Sequence, residues 1–144
     1  MQTFLPYPDF ARSAQCLDRQ RLGKQRVEVL QLLKALLVPG SGWANHPAAK
    51  MWKGFEMLLC IYGTEICQEW VNRGYKDGCR KLICDYSDRI DFTGSPKWLG
   101  DPAFHAAHRS NLLRKDPVHY GQFGWSEPND LPYVWPTPHI FQEQ

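Results

Sequence analysis

The fold is decided by one stretch of the chain, residues 17–37, which reads LDRQRLGKQRVEVLQLLKALL. Its apolar residues recur at helical spacing and make one continuous stripe: Leu22, Val29, Leu33 and Leu36. Asp18 comes just before this pattern and is the predicted N-cap, where its carboxylate interacts favourably with the positive end of the helix dipole. The stretch therefore predicts a single amphipathic helix over residues 17–37.

The polar face of this predicted helix concentrates functional groups. Four side chains share it at spacings of i, i+3, i+4 and i+7: Arg21, Lys24, Gln25 and Glu28. Residues 12–26 hold five Lys or Arg and one acid, a local basic patch in a chain whose net charge is only +2. Two interpretations stay open at this point, a ligand site or an ordinary solvated face with i,i+4 ion pairs.

Length and composition predict one globular domain over residues 1–144 with a sizeable core. The five cysteines are an odd number without a CxxC pair, so we expect neither a disulfide framework nor a zinc ribbon, and a reducing, cytoplasmic location. The start MQTFLPYP has no basic region before an apolar run, so no signal peptide is expected. No stretch reaches the roughly 18 apolar residues that a membrane span needs.

The rest of the chain also reads as helical, and we predict an all-α fold, a compact helical bundle with long loops. Further helices are predicted over about residues 9–16, 47–73, 77–87 and 102–115. Asp9 and the pair Asp101-Pro102 are cap signals, and either Asn45 or His46 caps the helix that begins at Pro47. From Tyr120 onward, prolines and aromatic residues predict an ordered strap across the helices: Trp125, Pro128, Pro132, Tyr133, Trp135, Pro136 and Pro138.

The last long helix carries a second polar cluster. Its members lie along one side or add charge beside it: His105, His108, Arg109, Asn111 and Lys115. The His-x-x-His pair could bind zinc, but no third ligand has a telling spacing, so contacts to phosphate or base edges and plain capping are the other interpretations. His46 is either a capping residue or a site residue at a helix N-terminus. No P-loop, GxGxxG or HExxH pattern occurs, and we expect neither cofactor nor metal.

Several blocks of sequence together resemble the pyrimidine-dimer DNA glycosylase family, the endonuclease V type of phage T4. The blocks are MQTFLPYP at 1–8, LDRQRLGKQRVE at 17–28, WANHP at 43–47, WKG at 52–54, EWVNRGY at 69–75 and HAAHRSNLLRKDPVHY at 105–120. The resemblance implies a compact helical domain that binds duplex DNA and flips a nucleotide out of it. It also implies that the N-terminal amine forms a Schiff base with the sugar, assisted by a glutamate on the first long helix.

The chain departs from the family pattern at both of these groups. The family's nucleophile is a threonine amine, but Thr3 lies behind Met1 and Gln2, so the resemblance assigns the amine to Met1. An alignment through Arg26-Val27 puts Gly23 at the place of the family glutamate. The nearest carboxylates are Asp18 and Glu28, with Gln25 between them, and Lys24, expected to be buried beside Arg21, is an alternative Schiff-base donor.

The leading hypothesis is a monomeric DNA glycosylase, with or without lyase activity, that acts on a damaged or modified pyrimidine in duplex DNA. The expected catalytic residues are Met1, Asp18, Lys24, Gln25 and Glu28, and the expected DNA-binding residues are Arg21, Arg26, Asn45, His46, His105, His108, Arg109, Asn111 and Lys115. Two alternatives are an enzyme acting on modified pyrimidine nucleotides or free nucleotides, and a non-catalytic nucleic-acid-binding module. The enzyme hypotheses predict that Arg21, Gln25, His46 and His108 line one pocket.

Overall fold

Four of the helices begin where the sequence predicts caps. A computed structural model describes residues 1–136 of the chain. Within this range it contains seven α-helices and no strand: α1 (Phe10–Cys16), α2 (Arg19–Leu37), α3 (Pro47–Trp52), α4 (Glu56–Asn72), α5 (Cys79–Ser87), α6 (Pro102–Lys115) and α7 (Pro117–Tyr120). A 3-10 turn follows at Gly121–Phe123. Asp9, Asp18 and Asp101 accept hydrogen bonds from backbone N–H groups in the first turns of α1, α2 and α6, which confirms these caps.

Helices α2 and α4 form the centre of the bundle: they pack against each other, both contact α5, and α1 packs on α4. Of the predicted apolar stripe of α2, Leu22, Val29 and Leu33 are fully buried and Leu36 is partly buried. A Cβ atom at Gly63 would lie 2.6 Å from Cγ1 of Val29, so this glycine lets α4 approach α2 closely. The described part of the chain is thus an all-α bundle with one core, as the periodicity predicted.

The prediction of one helix over residues 47–73 is wrong, because the chain turns between α3 and α4. Gly54 has φ +89°, a left-handed conformation that a helix does not contain and that glycine adopts without a Cβ clash. The backbone N–H of Phe55 donates to the carbonyl of Trp52 at 2.8 Å and closes the turn. The apolar run continues through the turn, which is why the pattern alone suggested one helix.

Helix α7 is not predicted by the sequence, because a proline after a helix usually marks only the end of that helix. Asp116 in fact starts a new turn by accepting a hydrogen bond of 3.1 Å from the backbone N–H of His119. The strap then runs over α6 as far as Pro136. The backbone N–H of Leu131 donates to Oγ of Ser110 at 3.0 Å and holds it there. Pro138 lies outside the described residues.

Residues 1–136 contain no helix that is both long and apolar enough to cross a membrane.

Candidate functional site

The polar face of α2 forms one wall of an open cleft of about 320 Å³. The N-terminal segment, the last residue of α6 and the strap form the other walls. Six of the residues singled out from the sequence line this cleft: Met1, Arg21, Lys24, Gln25, Glu28 and Lys115. Five more were not predicted as site residues: Gln2, Phe4, Gln20, Tyr133 and Trp135. Tyr133 and Trp135 did have a signal, because their aromatic-rich segment was expected to wrap the helices.

Two charged side chains of α2, Glu28 and Lys24, lie at different depths in the cleft. Glu28 is only 7 % exposed, whereas the side chain of Lys24, one turn earlier, is 74 % exposed. Their charged groups are 3.7 Å apart, from Nζ to Oε1. The expected burial of Lys24 is therefore wrong: its ammonium group stands at the mouth of the cleft, and the Glu28 carboxylate lies deeper.

Gln25 connects the inner wall of the cleft to the N-terminal segment. Its Nε2 donates to the carbonyl of Gln2 at 2.6 Å and to Oε2 of Glu28 at 2.7 Å. Its Oε1 accepts from the backbone N–H of Phe4 at 3.0 Å and lies 2.7 Å from the hydroxyl of Tyr62. The amide is thus fully engaged within the protein.

Residues 2–6 of the N-terminal segment are buried, and Met1, which precedes them, lines the cleft. Thr3 is fully buried, and its Oγ1 accepts a hydrogen bond of 3.0 Å from Nε1 of Trp52. The hydroxyl of Tyr62 lies 2.8 Å from the carbonyl of Phe4. Burial raises the pKa of Tyr62 well above its ordinary value, so the phenol stays protonated and remains a hydrogen-bond donor.

His105 and His108 do not face the cleft, contrary to expectation, but bind the backbone of Leu5 from two sides. Nδ1 of His105 donates to the Leu5 carbonyl at 2.8 Å, and Nδ1 of His108 accepts from the Leu5 N–H at 3.0 Å. Nε2 of His105 accepts from the N–H of Gly100 at 2.9 Å. Burial lowers the pKa of both rings, that of His108 to about 3.

These contacts also weigh against the zinc interpretation of the His-x-x-His pair. Both Nδ1 atoms are engaged with Leu5, and Nε2 of His105 is occupied as well. In the part of the chain that the structure describes, no group of three or more His, Cys, Asp or Glu side chains is arranged to hold a metal ion.

Arg109 and Asn111 also serve internal contacts rather than the cleft. Arg109 forms a two-point ion pair with Glu127, at 2.8 and 3.2 Å, and donates to the carbonyl of Pro6 at 2.8 Å. The buried amide of Asn111 donates to the carbonyls of Ala107 and Leu131. These two residues fasten the N-terminal segment and the strap to α6, so direct DNA contact is not what their surroundings favour.

Asp18, the N-cap of α2, and Arg26, within α2, both lie outside the cleft. Burial opposes the ionisation of Asp18, but hydrogen bonds from Tyr120 and Arg21 outweigh it and lower its pKa. Arg26 pairs with Asp77 at 2.7 Å, and its guanidinium lies 4.4 Å from the ring centroid of Trp70. Both residues have protein partners that explain them without a ligand.

The loop before α3 approaches the cleft through its aromatic rings. His46 caps α3, since its Nδ1 accepts from the N–H of Ala48 at 3.0 Å, and its ring contacts the rings of Trp43 and Trp135 edge-on. Burial, and then the positive charge of the N-terminal amine, lower the pKa of His46. Asn45 is exposed and is not the cap. Of the residues expected to share a pocket, Arg21 and Gln25 line the cleft, whereas His46 and His108 contact the rings of its walls.

Gly23 occupies its position because of a neighbour on α4. A Cβ atom there would lie 2.9 Å from Cη2 of Trp70, so a larger side chain would meet the indole and not the cleft. The carboxylate that does line the cleft is that of Glu28, five residues further along α2.

The chain was compared with protein families and with known proteins. The model of the family described as pyrimidine dimer DNA glycosylase matches residues 1–82, more than half of the 144 residues and the part that supplies most of the cleft. Searches of curated proteins and of solved structures found no significant match. On the strength of the family match, the chain belongs to the pyrimidine dimer DNA glycosylase family.

Proposed function

We propose that this protein is a DNA glycosylase that removes a damaged or modified pyrimidine from duplex DNA after the nucleotide has been flipped into the cleft. The observation that carries the proposal is that Met1, which bears the α-amine, and the Glu28 carboxylate line the same cleft. Three cationic side chains line it as well: Arg21, Lys24 and Lys115. Family membership supports DNA as the substrate. Cations at the rim suit the phosphates, and a carboxylate inside suits the sugar, whose charge becomes positive as the base leaves.

The proposed nucleophile is the α-amine of Met1. An amine nitrogen has a lone pair that can attack the sugar carbon C1′. Its nitrogen bonds to C1′ as the glycosidic bond breaks, and the bonding electrons leave with the base, which takes up a proton. The nitrogen gives up a proton to Glu28. Its lone pair then forms the C1′=N bond as the C1′–O4′ bond breaks, and O4′ takes that proton from Glu28 to become a hydroxyl group, so that the sugar ring opens and an iminium forms. Water then hydrolyses the iminium, or the 3′ phosphate is eliminated in a lyase step.

Glu28 is the proposed acid/base group. It lies on the inner wall of the same cleft as Met1, next to Gln25 and within 3.7 Å of the Lys24 ammonium group. It would accept the proton lost by the amine and stabilise positive charge on the sugar. Lys24 is assigned to phosphate binding rather than Schiff-base formation, because a side chain that is 74 % exposed lacks the burial that would activate it.

The test is borohydride trapping on duplexes that carry a cyclobutane pyrimidine dimer, an abasic site or a modified pyrimidine. Borohydride delivers hydride to the iminium carbon and leaves a stable secondary amine. Mass spectrometry of the intact protein identifies its first residue, and peptide mapping is expected to locate the adduct on Met1, not Lys24. An enzyme acting on free nucleotides would instead release base without duplex DNA, and a binding module would bind DNA with no adduct and no released base; either result overturns the proposal.

A further inference from the structure

We propose that Gln25 is a positioning residue, which rests on the proposed function: it holds the Met1-bearing segment and Glu28 in one rigid arrangement and does not touch the substrate. Gln25 is 1 % exposed and lies between the N-terminal segment and the core. Part of its side chain faces the cleft, so its residue type alone suggests a contact to the flipped base. Its hydrogen bonds point to a different role.

Every hydrogen-bonding position of the Gln25 side-chain amide already faces a group of the protein. An amide nitrogen offers two donors, and here they go to the carbonyl of Gln2 and to Oε2 of Glu28. An amide oxygen offers two lone pairs: one accepts from the N–H of Phe4, and the other faces the Tyr62 hydroxyl, whose single proton is shared with the Phe4 carbonyl. Any hydrogen bond to a base would first require one of these to break.

The orientation of this amide is determined by its partners. Turning it over would place the amide oxygen against the carbonyl of Gln2 and the carboxylate of Glu28, where three acceptors would meet without a donor. It would also place the NH₂ group against the N–H of Phe4. The network thus has one arrangement, and this arrangement is buried, where unpaired polar groups are costly.

The two halves of the amide join the two groups that the proposed reaction needs at fixed separation. Gln2 follows Met1 directly, so a displaced Gln2 carbonyl moves the amine as well. The same nitrogen atom holds the Glu28 carboxylate on its other side at 2.7 Å. Because a misplacement of about 1 Å at a reacting centre costs on the order of 10²-fold in rate, this link affects turnover more than binding.

The test separates the rate of the chemical step from DNA affinity. Gln25→Met has a similar shape but can form none of the four hydrogen bonds, and Gln25→Glu keeps the acceptors while losing both donors. Single-turnover trapping is expected to slow by about 10²-fold in both variants, while the Kd for DNA stays within about twofold. Gln31 is exposed on the same helix outside the cleft, so Gln31→Met and Gln31→Glu are matched controls that keep the wild-type rate.

A second readout does not depend on activity. Both Nε2 protons of Gln25 are expected to exchange slowly with deuterated solvent in an NMR experiment, unlike those of exposed glutamines. If Gln25→Met does not fold, Tyr62→Phe, which removes one donor to Oε1, carries the kinetic test with a smaller loss in rate and unchanged Kd.

Three results would overturn the inference: variants that trap at the wild-type rate, a Kd that rises as much as the rate falls, or rapid exchange of the amide protons. The second would mean that Gln25 contacts the substrate. Failure of the proposed function is recognised separately, because wild-type protein would then form no adduct and release no base from any duplex.

Discussion

Nδ1 of His108 accepts a hydrogen bond of 3.0 Å from the backbone N–H of Leu5, 103 residues earlier in the chain. The ring is fully buried, and its Nε2, which carries the proton in this tautomer, has no hydrogen-bond partner among residues 1–136. Burial disfavours the charged imidazolium and lowers the pKa of His108 to about 3. The bond between the N-terminal segment and α6 is therefore coupled to pH.

The stability of the protein is expected to fall as the pH drops below about 6.5. In the unfolded chain His108 takes up a proton near that pH, whereas in the folded protein its imidazole stays neutral down to a pH of about 3. Acid therefore favours unfolding over this interval. The loss from this residue is on the order of 1 kcal/mol per pH unit, and the lowered pKa values of His46 and His105 act in the same direction. Urea unfolding at pH 7, 6, 5 and 4 measures it.

His108→Leu is the control for this pH dependence. At pH 7 it should lower the free energy of unfolding by about 1–3 kcal/mol, since the N–H of Leu5 loses its acceptor in a buried place. Between pH 6.5 and 4 its stability should decline less steeply than that of the wild type. Equal slopes in the two proteins would show that His108 is not the titrating group.

Gly23→Ala is expected to destabilise the protein although alanine favours helices. The new Cβ atom would lie 2.9 Å from the Trp70 indole, which is itself held by a hydrogen bond from Nε1 to the carbonyl of Lys76. Overpacking of this kind costs about 1–3 kcal/mol, more than the roughly 1 kcal/mol gained in helix propensity. Thermal unfolding of this variant is compared with Gly121→Ala, where no heavy atom of the described residues outside its chain neighbours lies within 4 Å of the new Cβ and no loss is expected.

Glu28→Gln is expected to slow base release by about 10²–10⁴-fold, the usual contribution of an acid/base group. The variant keeps the shape of the side chain and an oxygen for the Gln25 amide, so the fold and the DNA affinity should change little. Single-turnover kinetics, followed by the released base or by the trapped adduct, measure the rate. Asp91→Asn, an exposed carboxylate away from the cleft, is the control; a Glu28→Gln protein as fast as this control would remove Glu28 from the mechanism.

Lys24→Gln is expected to weaken DNA binding without preventing the adduct. The exposed ammonium at the cleft mouth suits a phosphate contact. The negative slope of the logarithm of the DNA-binding constant against the logarithm of the salt concentration should therefore become smaller in magnitude by about 1. Fluorescence anisotropy at several salt concentrations provides the slope, with Lys34→Gln, at the far end of α2, as the control. An adduct that disappears in Lys24→Gln, while DNA binding persists, would assign the Schiff base to Lys24 and not to Met1.

Local chemistry predicted most of the helices. Asp9, Asp18 and Asp101 are caps because a carboxylate next to the first turn accepts from N–H groups only two or three residues away. Such short separations can be recognised in the sequence alone. The one false helix, over residues 47–73, arose because an apolar run does not reveal that Gly54 adopts φ +89°. The helical spacing of the polar residues on α2 likewise predicted that four of them share one face, and all four line the cleft: Arg21, Lys24, Gln25 and Glu28.

Periodicity, caps and motifs are properties of neighbouring residues, so the amino-acid sequence was enough to predict the all-α fold, the family and the polar face of α2. Which polar residues remain available to a ligand depends instead on contacts between distant parts of the chain. His105 and His108 looked like site residues on their own helix, but their partner is Leu5, at least 100 residues away. The Gln25 amide is likewise engaged within the protein and not available to a ligand. Buried polar atoms need hydrogen-bond partners, and the partners of this amide come from distant parts of the chain.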